Sequence, residues 1–195
     1  MANNADSMPS TVAATTNQPV HGKKGVILLS SGELDKAIIA FEIAAGFQAM
    51  GMNMSMWFVL YGANCLRKPR SLFSFAKWFR RLGGGVGRTP ETDMGMQYIV
   101  RGLNHDGANN LPLSQLNFGG LGAWIIRRIM RRKGMMQLED LILNARNMGV
   151  RFTVCQICVD AMAVSVPDDL IVEADVKGVS AYYLDAADAH YNATF

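Results

Sequence analysis

The sequence predicts an α/β fold, a three-layer sandwich around a mainly parallel sheet, carrying a helical basic insert. Three observations lead there. Short β-rich apolar runs alternate with helical patterns, the arrangement that yields parallel strands joined by right-handed crossovers. Half of the 195 residues are hydrophobic and 18% are charged, which suits a sheet buried on both faces. No Pro- or Ser-rich stretch divides the chain, so one domain over residues 23–195 is expected.

Residues 1–22 are expected to be a disordered tail, because Met1 to Val20 hold Asn, Ser, Thr and Ala with one charge, Asp6, and no basic start or apolar run. Lys24 to Leu29 reads as the first strand. Ser30 and Glu33 then stand at capping-box spacing before a helix over Leu34 to Ala49, with Ile38, Phe41, Ala45 and Gln48-Ala49 along one side. Ile43 to Leu66 lacks charged side chains and is long enough to span a bilayer. Gln48, Gly51, Asn53, Ser55 and Asn64 interrupt it, however, and Gly51-Met52-Asn53 reads as a helix stop. A buried helix-turn-strand is the expectation, with the second strand over Ser55 to Tyr61.

An amphipathic helix over Leu138 to Asn147, ended by Gly149, precedes a third strand over Arg151 to Val154. Beyond Cys155 come a short helical segment, a turn at Pro167-Asp168-Asp169, a helix over about Ser180 to Ala189 and a last strand over Asn192 to Phe195. Ligands of parallel sheets collect at the carboxyl ends of the strands. Ser30-Ser31, Tyr61 to Cys65 and Cys155 would share that edge.

Charge is strongly segregated. Residues 67–133, the insert, hold 13 of the 19 basic residues and 3 of the 16 acidic ones, a formal +10 against −7 for the rest. Ser71 to Arg81 interleaves Phe73, Phe75, Trp78 and Phe79 with Lys77, Arg80 and Arg81. Leu121 to Arg132 sets Trp124, Ile125 and Ile129 against Arg127, Arg128, Arg131 and Arg132. Both read as basic amphipathic helices, with a long loop over Gly83 to Gly122 between them. Such faces serve as a solvated surface, as a membrane-surface or nucleic-acid patch, or as a docking site for an acidic partner or an anionic sulfur compound. No nucleic-acid partner is expected, while membrane-surface association stays open. Burial in an oligomer interface is the modest explanation of the rings.

Three cysteines cannot form a paired disulfide framework, so individually placed thiols in a reducing, cytoplasmic setting are expected. Cys155 stands at a strand end before a helical turn, where free amides and the helix dipole can stabilise a thiolate; an inert buried Cys is the plain alternative. Cys158 lies three residues on, within reach of the same site. No metal or cofactor is expected, since a zinc site needs four ligands and His21, His105 and His190 are scattered. His190 is expected at the surface, and Asp160 as a cap or surface residue, with orientation of the Cys155 site as its lesser alternative. Gly83-Gly84-Gly85-Val86-Gly87 lacks Gly-Lys-Ser/Thr and follows no buried strand. Ser30, Ser31 and Gly32 make the better candidate anion cradle by position, although a plain helix cap explains them equally well.

The run Gly149-Val150-Arg151-Phe152-Thr153-Val154-Cys155-Gln156-Ile157-Cys158-Val159-Asp160-Ala161-Met162 resembles the active-site strand of the DsrE/DsrF-like sulfurtransferase family, in particular its "peroxiredoxin-like" branch with a Cys-Gln-x-x-x-Asp-x-Met pattern. Lys24 to Gly32 resembles the family's first strand, Trp57 to Lys68 its second, Gly178 to Leu184 with Ala187-Asp188 its closing helix, and the middle segment its variable insert. The resemblance implies a sulfur carrier or sulfurtransferase in sulfur metabolism, with Cys155 taking sulfane sulfur as a persulfide and passing it to a thiol, often on a TusA-type carrier. It also implies oligomers. No peroxidatic motif supports the branch's label. Cys158, at a position that varies in the family, could resolve the persulfide as a disulfide, or Cys65 could relay it across the sheet edge. The basic insert would steer an anionic donor or an acidic carrier. A non-catalytic oligomeric scaffold and a membrane-surface protein are the alternatives.

Overall fold

The computed structural model describes residues 21–68, 107–162, 164 and 166–195. The expected tail before His21 and the expected helix over Ser71 to Arg81 lie outside them, as does most of the Gly83 to Gly122 loop. The elements are β1 (Lys24–Leu29), α1 (Leu34–Ala49), β2 (Asn53–Phe58), a 3-10 helix (Leu60–Leu66), a 3-10 turn (Phe118–Gly120), α2 (Leu121–Arg132), α3 (Leu138–Asn147), β3 (Arg151–Cys155), α4 (Gln156–Ala161), β4 (Asp175–Lys177), α5 (Val179–Ala187) and β5 (Tyr191–Thr194). The strands form one sheet in the order β4-β3-β2-β1-β5. Every pairing is parallel.

Period-two alternation sorts the side chains between the two faces. Ile27, Leu29, Met54, Met56, Phe58, Phe152 and Val154 share a core with Leu34, Ala37, Phe41 and Ala44 of α1 and with Leu138, Leu141, Ile142 and Ala145 of α3. Phe41 sits between Phe58 and Phe152, with ring centroids 5.9 and 5.7 Å away. Burying each such ring contributes about 1.5–3 kcal/mol. Residues of the other parity turn to the opposite layer, where Trp57 packs edge-on to Tyr182 of α5 and its Nε1 donates to Asp185 at 3.1 Å. This is the sandwich expected.

Several boundaries moved for local reasons. The side of α1 that is fully buried runs through Leu34, Ala37, Ala40, Phe41 and Ala44, and Ile38 and Ala45 lie at its border. β2 ends at Phe58, because Leu60 turns into a left-handed conformation at φ 46° and begins the 3-10 helix. Gly51, at φ 88°, makes the turn from α1 into β2. No helix among the described residues is long and apolar enough to cross a membrane. The short strand β4, with its charged ends Asp175 and Lys177, was not expected.

Candidate active site

Strand register brings three chain segments to one edge. Leu29, Phe58 and Val154 align across β1, β2 and β3, so the exits Ser30-Ser31, Val59 to Tyr61 and Cys155 are neighbours. Gly62 fits this edge because it has no side chain: a Cβ there would stand 2.0 Å from the Leu29 carbonyl oxygen. Its amide donates to Ser30 and Val59 carbonyls at 3.2 and 3.0 Å.

Cys155 ends β3 and is also the N-cap of α4, with ψ 128°. It makes no side-chain cap hydrogen bond, so its sulfur is not committed to the helix. Cys158 is the third residue of α4. The two thiols are 4% and 5% exposed, and Cys158 lies beside both the Cys155 sulfur and the Leu60 backbone. Burial pushes the Cys158 thiol up, the Leu60 amide pulls it back, and the Cys155 sulfur, as hydrogen-bond partner and as a neighbouring charge, pushes it up again. Cys158 therefore keeps its proton at neutral pH. α4 is only six residues long, so the expected dipole contribution is small.

The rim of this pair is apolar. Leu60, Tyr61 and Ile157 are 49%, 53% and 63% exposed. Beside them Gln156 Nε2 donates to both Asp160 carboxylate oxygens at 3.1 and 3.2 Å across one helical turn. This places Asp160 at the surface of α4, next to the site.

The other expected site residues separate. Ser30 does not cap α1: its hydroxyl and amide donate to the Phe195 carbonyl at 2.9 and 2.8 Å, and the Ser31 amide adds a third bond at 3.3 Å. The Ser31 hydroxyl donates to Glu33 at 2.7 Å. A Cβ on Gly32 would meet Tyr61 Cβ at 3.0 Å. The Ser30-Ser31-Gly32 turn, expected as an anion cradle, thus clasps the chain's own β5 end through these bonds. Leu34, at the start of α1, donates its amide to the Pro112 carbonyl at 2.7 Å instead.

Cys65 belongs to the core. Its thiol donates to the Gly62 carbonyl at 3.1 Å and burial drives it far up, so a relay through Cys65 is disfavoured by the enclosure of its sulfur. Arg127 of α2 is half-buried, its Nη2 donating to the carbonyls of Leu111 at 2.9 Å and Ala108 at 3.4 Å. It fastens the helix to the domain. Arg128 lies 5.5 Å from the Trp124 ring centroid, and Arg131 and Arg132 are exposed. His190 is exposed as expected. Among the described residues no group of three or more His, Cys, Asp or Glu side chains could hold a metal ion.

A groove of roughly 350 Å³, lined by Arg146, Arg151, Pro167, Glu173 and Asp175 among others, opens beside the first residue of β3. It is at the opposite end of that strand from Cys155, away from the thiols. Sequence reasoning missed Leu60. A left-handed Leu carries no signature in sequence, and its amide reaches Cys158 from a turn distant in the chain.

The model of the DsrE/DsrF/DrsH-like family matches residues 21–193. The chain is also 28% identical over 170 residues, 87% of its own length and 95% of the relative's, to the uncharacterized protein YrkE of Bacillus subtilis (strain 168). The matched span takes in β1 to β4, all of β5 but its last residue and both thiols of the buried pair, and the chain belongs to the DsrE/DsrF/DrsH-like family.

Proposed function

We propose that the chain is a sulfur carrier of the sulfurtransferase type, holding sulfane sulfur as a persulfide on Cys155 and handing it to a partner thiol in sulfur metabolism. The observation that carries this reading is the Cys155 sulfur itself, at the sheet's carboxyl edge, making no cap hydrogen bond and standing beside a thiol that keeps its proton. The Cys155 thiolate attacks the terminal sulfur of a polysulfide, persulfide or thiosulfate-type donor, a sulfur–sulfur bond breaks, and the shortened donor leaves as an anion. An acceptor thiolate, on a TusA-type carrier or another thiol protein, then takes the outer sulfur and releases the Cys155 thiolate. Leu60, Tyr61 and Ile157 supply an apolar rim on which a protein acceptor can seat.

Intact-mass spectrometry after exposure to polysulfide tests the reading. The reduced chain should gain whole sulfur atoms, located on the Cys155 peptide, and Cys155→Ser should gain none; loading of that variant at the parent level would end the proposal.

A second reading, an oligomeric scaffold or membrane-surface protein, draws on α2. Leu121, Trp124, Ile125 and Ile129 are exposed there together with Arg128, Arg131 and Arg132, a mixture suited to an anionic bilayer or to another subunit. Flotation with anionic vesicles and the sedimentation-derived mass separate these two.

A further inference from the structure

Cys158 gives the site a second outcome. We propose that Cys155 and Cys158 form a dithiol/disulfide couple that discharges the Cys155 persulfide as sulfide when no acceptor is docked. This rests on the carrier reading above, since it begins from the loaded Cys155.

The geometry is that of an N-cap residue and the third helical residue. Residues three apart on a helix hold their Cβ atoms about 5–6 Å apart, whereas a disulfide needs about 3.5–4.5 Å. Cys155 lies outside the helix with extended ψ, and both thiols are buried, at 4% and 5% exposure, three positions apart at the start of α4. Closing the remaining gap asks for side-chain rotation and little backbone movement. Cys65, the third thiol, is held by Gly62 in the core, which leaves Cys158 as the resolving group.

In the step, Cys158 attacks Cys155 Sγ, the inner sulfur of the persulfide. The Cys155–Cys158 bond forms as the bond from Cys155 Sγ to the sulfane sulfur breaks. The sulfane sulfur leaves with the electron pair as hydrosulfide and takes up the proton that Cys158 gives away. Two thiol sulfurs are oxidised to a disulfide while one sulfane sulfur is reduced to sulfide, so atoms and electrons balance. Return to the dithiol takes two electrons from an external dithiol reductant, protein or small molecule, by ordinary thiol–disulfide exchange. Burial holds the Cys158 thiol up, so the attack should speed as pH rises, and the low exposure of both sulfurs slows competing attack by bulk thiols.

The test uses the full chain, loaded with polysulfide, desalted and left without added thiol. Two readings are followed: free sulfide, by a sulfide-selective probe, and intact mass. The parent chain should release sulfide in proportion to the sulfur loaded and finish two hydrogens lighter than the reduced protein, with Cys155 and Cys158 in one linked peptide. Cys158→Ser should release no sulfide per sulfur loaded and keep the mass of its adduct. Cys158→Ala, with melting temperature measured for both variants, guards against a folding defect. A parent chain that holds its extra sulfur, or a Cys158→Ser chain that releases sulfide as the parent does, overturns the discharge while leaving the carrier reading in place. A chain that loads no sulfur on Cys155 in parent or variant overturns both.

Discussion

Two strand exits on the same edge of the sheet, β1 into Ser30-Ser31 and β3 into Cys155, differ in what their polar groups are already doing. At the β1 exit the Ser30 amide, the Ser30 hydroxyl and the Ser31 amide all converge on the Phe195 carbonyl. At the β3 exit the Cys155 sulfur makes no cap hydrogen bond and meets the thiol of Cys158. Both are strand-to-helix turns at the carboxyl edge, the place where ligands of parallel sheets gather. Position selects the edge, and the two exits differ in how far their polar groups are already paired within the fold.

The largest difference expected between the two exits is chemical. Cys155→Ser should abolish sulfur loading, whereas Ser30→Ala should leave loading within about twofold and cost about 1 kcal/mol in urea unfolding, the usual net contribution of one hydrogen bond. Loss of loading in Ser30→Ala would return the β1 exit to the site. Gly62 joins the exits, and Gly62→Ala drives a methyl group into the Leu29 carbonyl. Overpacking against backbone should destabilise the fold by about 1–3 kcal/mol and lower loading by displacing Leu60. Thermal melting together with loading would check this, and a variant as stable as the parent would show that the 3-10 helix is not held against β1.

Burial links two of the thiols to pH as well. The folded pKa of Cys65 is raised above the unfolded value of about 8.5 by burial. The native chain therefore keeps a proton that the unfolded chain gives up at higher pH. The stability is fully present below about pH 8.5 and falls above it, by up to about 1.4 kcal/mol per pH unit for one such group. Cys158 is shifted the same way and adds to the fall. Urea unfolding at neutral and alkaline pH should show a smaller alkaline loss in Cys65→Ala than in the parent chain; equal losses would mean that Cys65 is not shielded in the native state.

Much of this architecture was legible because it depends on local pattern. The spans of β1, α1, α2 and α3 follow from apolar period and punctuation, and Gly149, at φ 92°, ends α3 as a glycine should. Cys155 was legible by its strand-end position and its sequence context. Asp175–Lys177 was not, since a three-residue edge strand with exposed charged ends lacks an apolar run. Contacts between distant residues were hidden too. Ser30 and Glu33 have capping-box spacing, yet the partner of Ser30 is Phe195, 165 positions away, and the amide facing Cys158 comes from a left-handed Leu60. A spacing rule reports what a side chain can reach nearby, and tertiary partners compete for the same groups.

The four arginines of α2 extend the same contrast between committed and free groups to the smallest effect. Arg127 is committed: Leu111 and Ala108 carbonyls take its guanidinium, and burial pushes its pKa down. Arg127→Ala should cost on the order of 1 kcal/mol of stability, with no salt dependence of loading beyond that of the parent. Arg131 and Arg132 are exposed, and replacing both by Ala should change stability by less than about 0.5 kcal/mol. Their expected effect is on encounter. An anionic donor such as polysulfide is attracted over a Debye length of about 10 Å at 0.1 M salt and only about 3 Å at 1 M, so the double variant should load more slowly at low salt and converge on the parent at high salt. Stopped-flow loading across a salt series measures this directly. Identical rates at every salt concentration would remove steering from these two side chains and leave contact with another subunit or with a membrane as the role of the exposed face of α2.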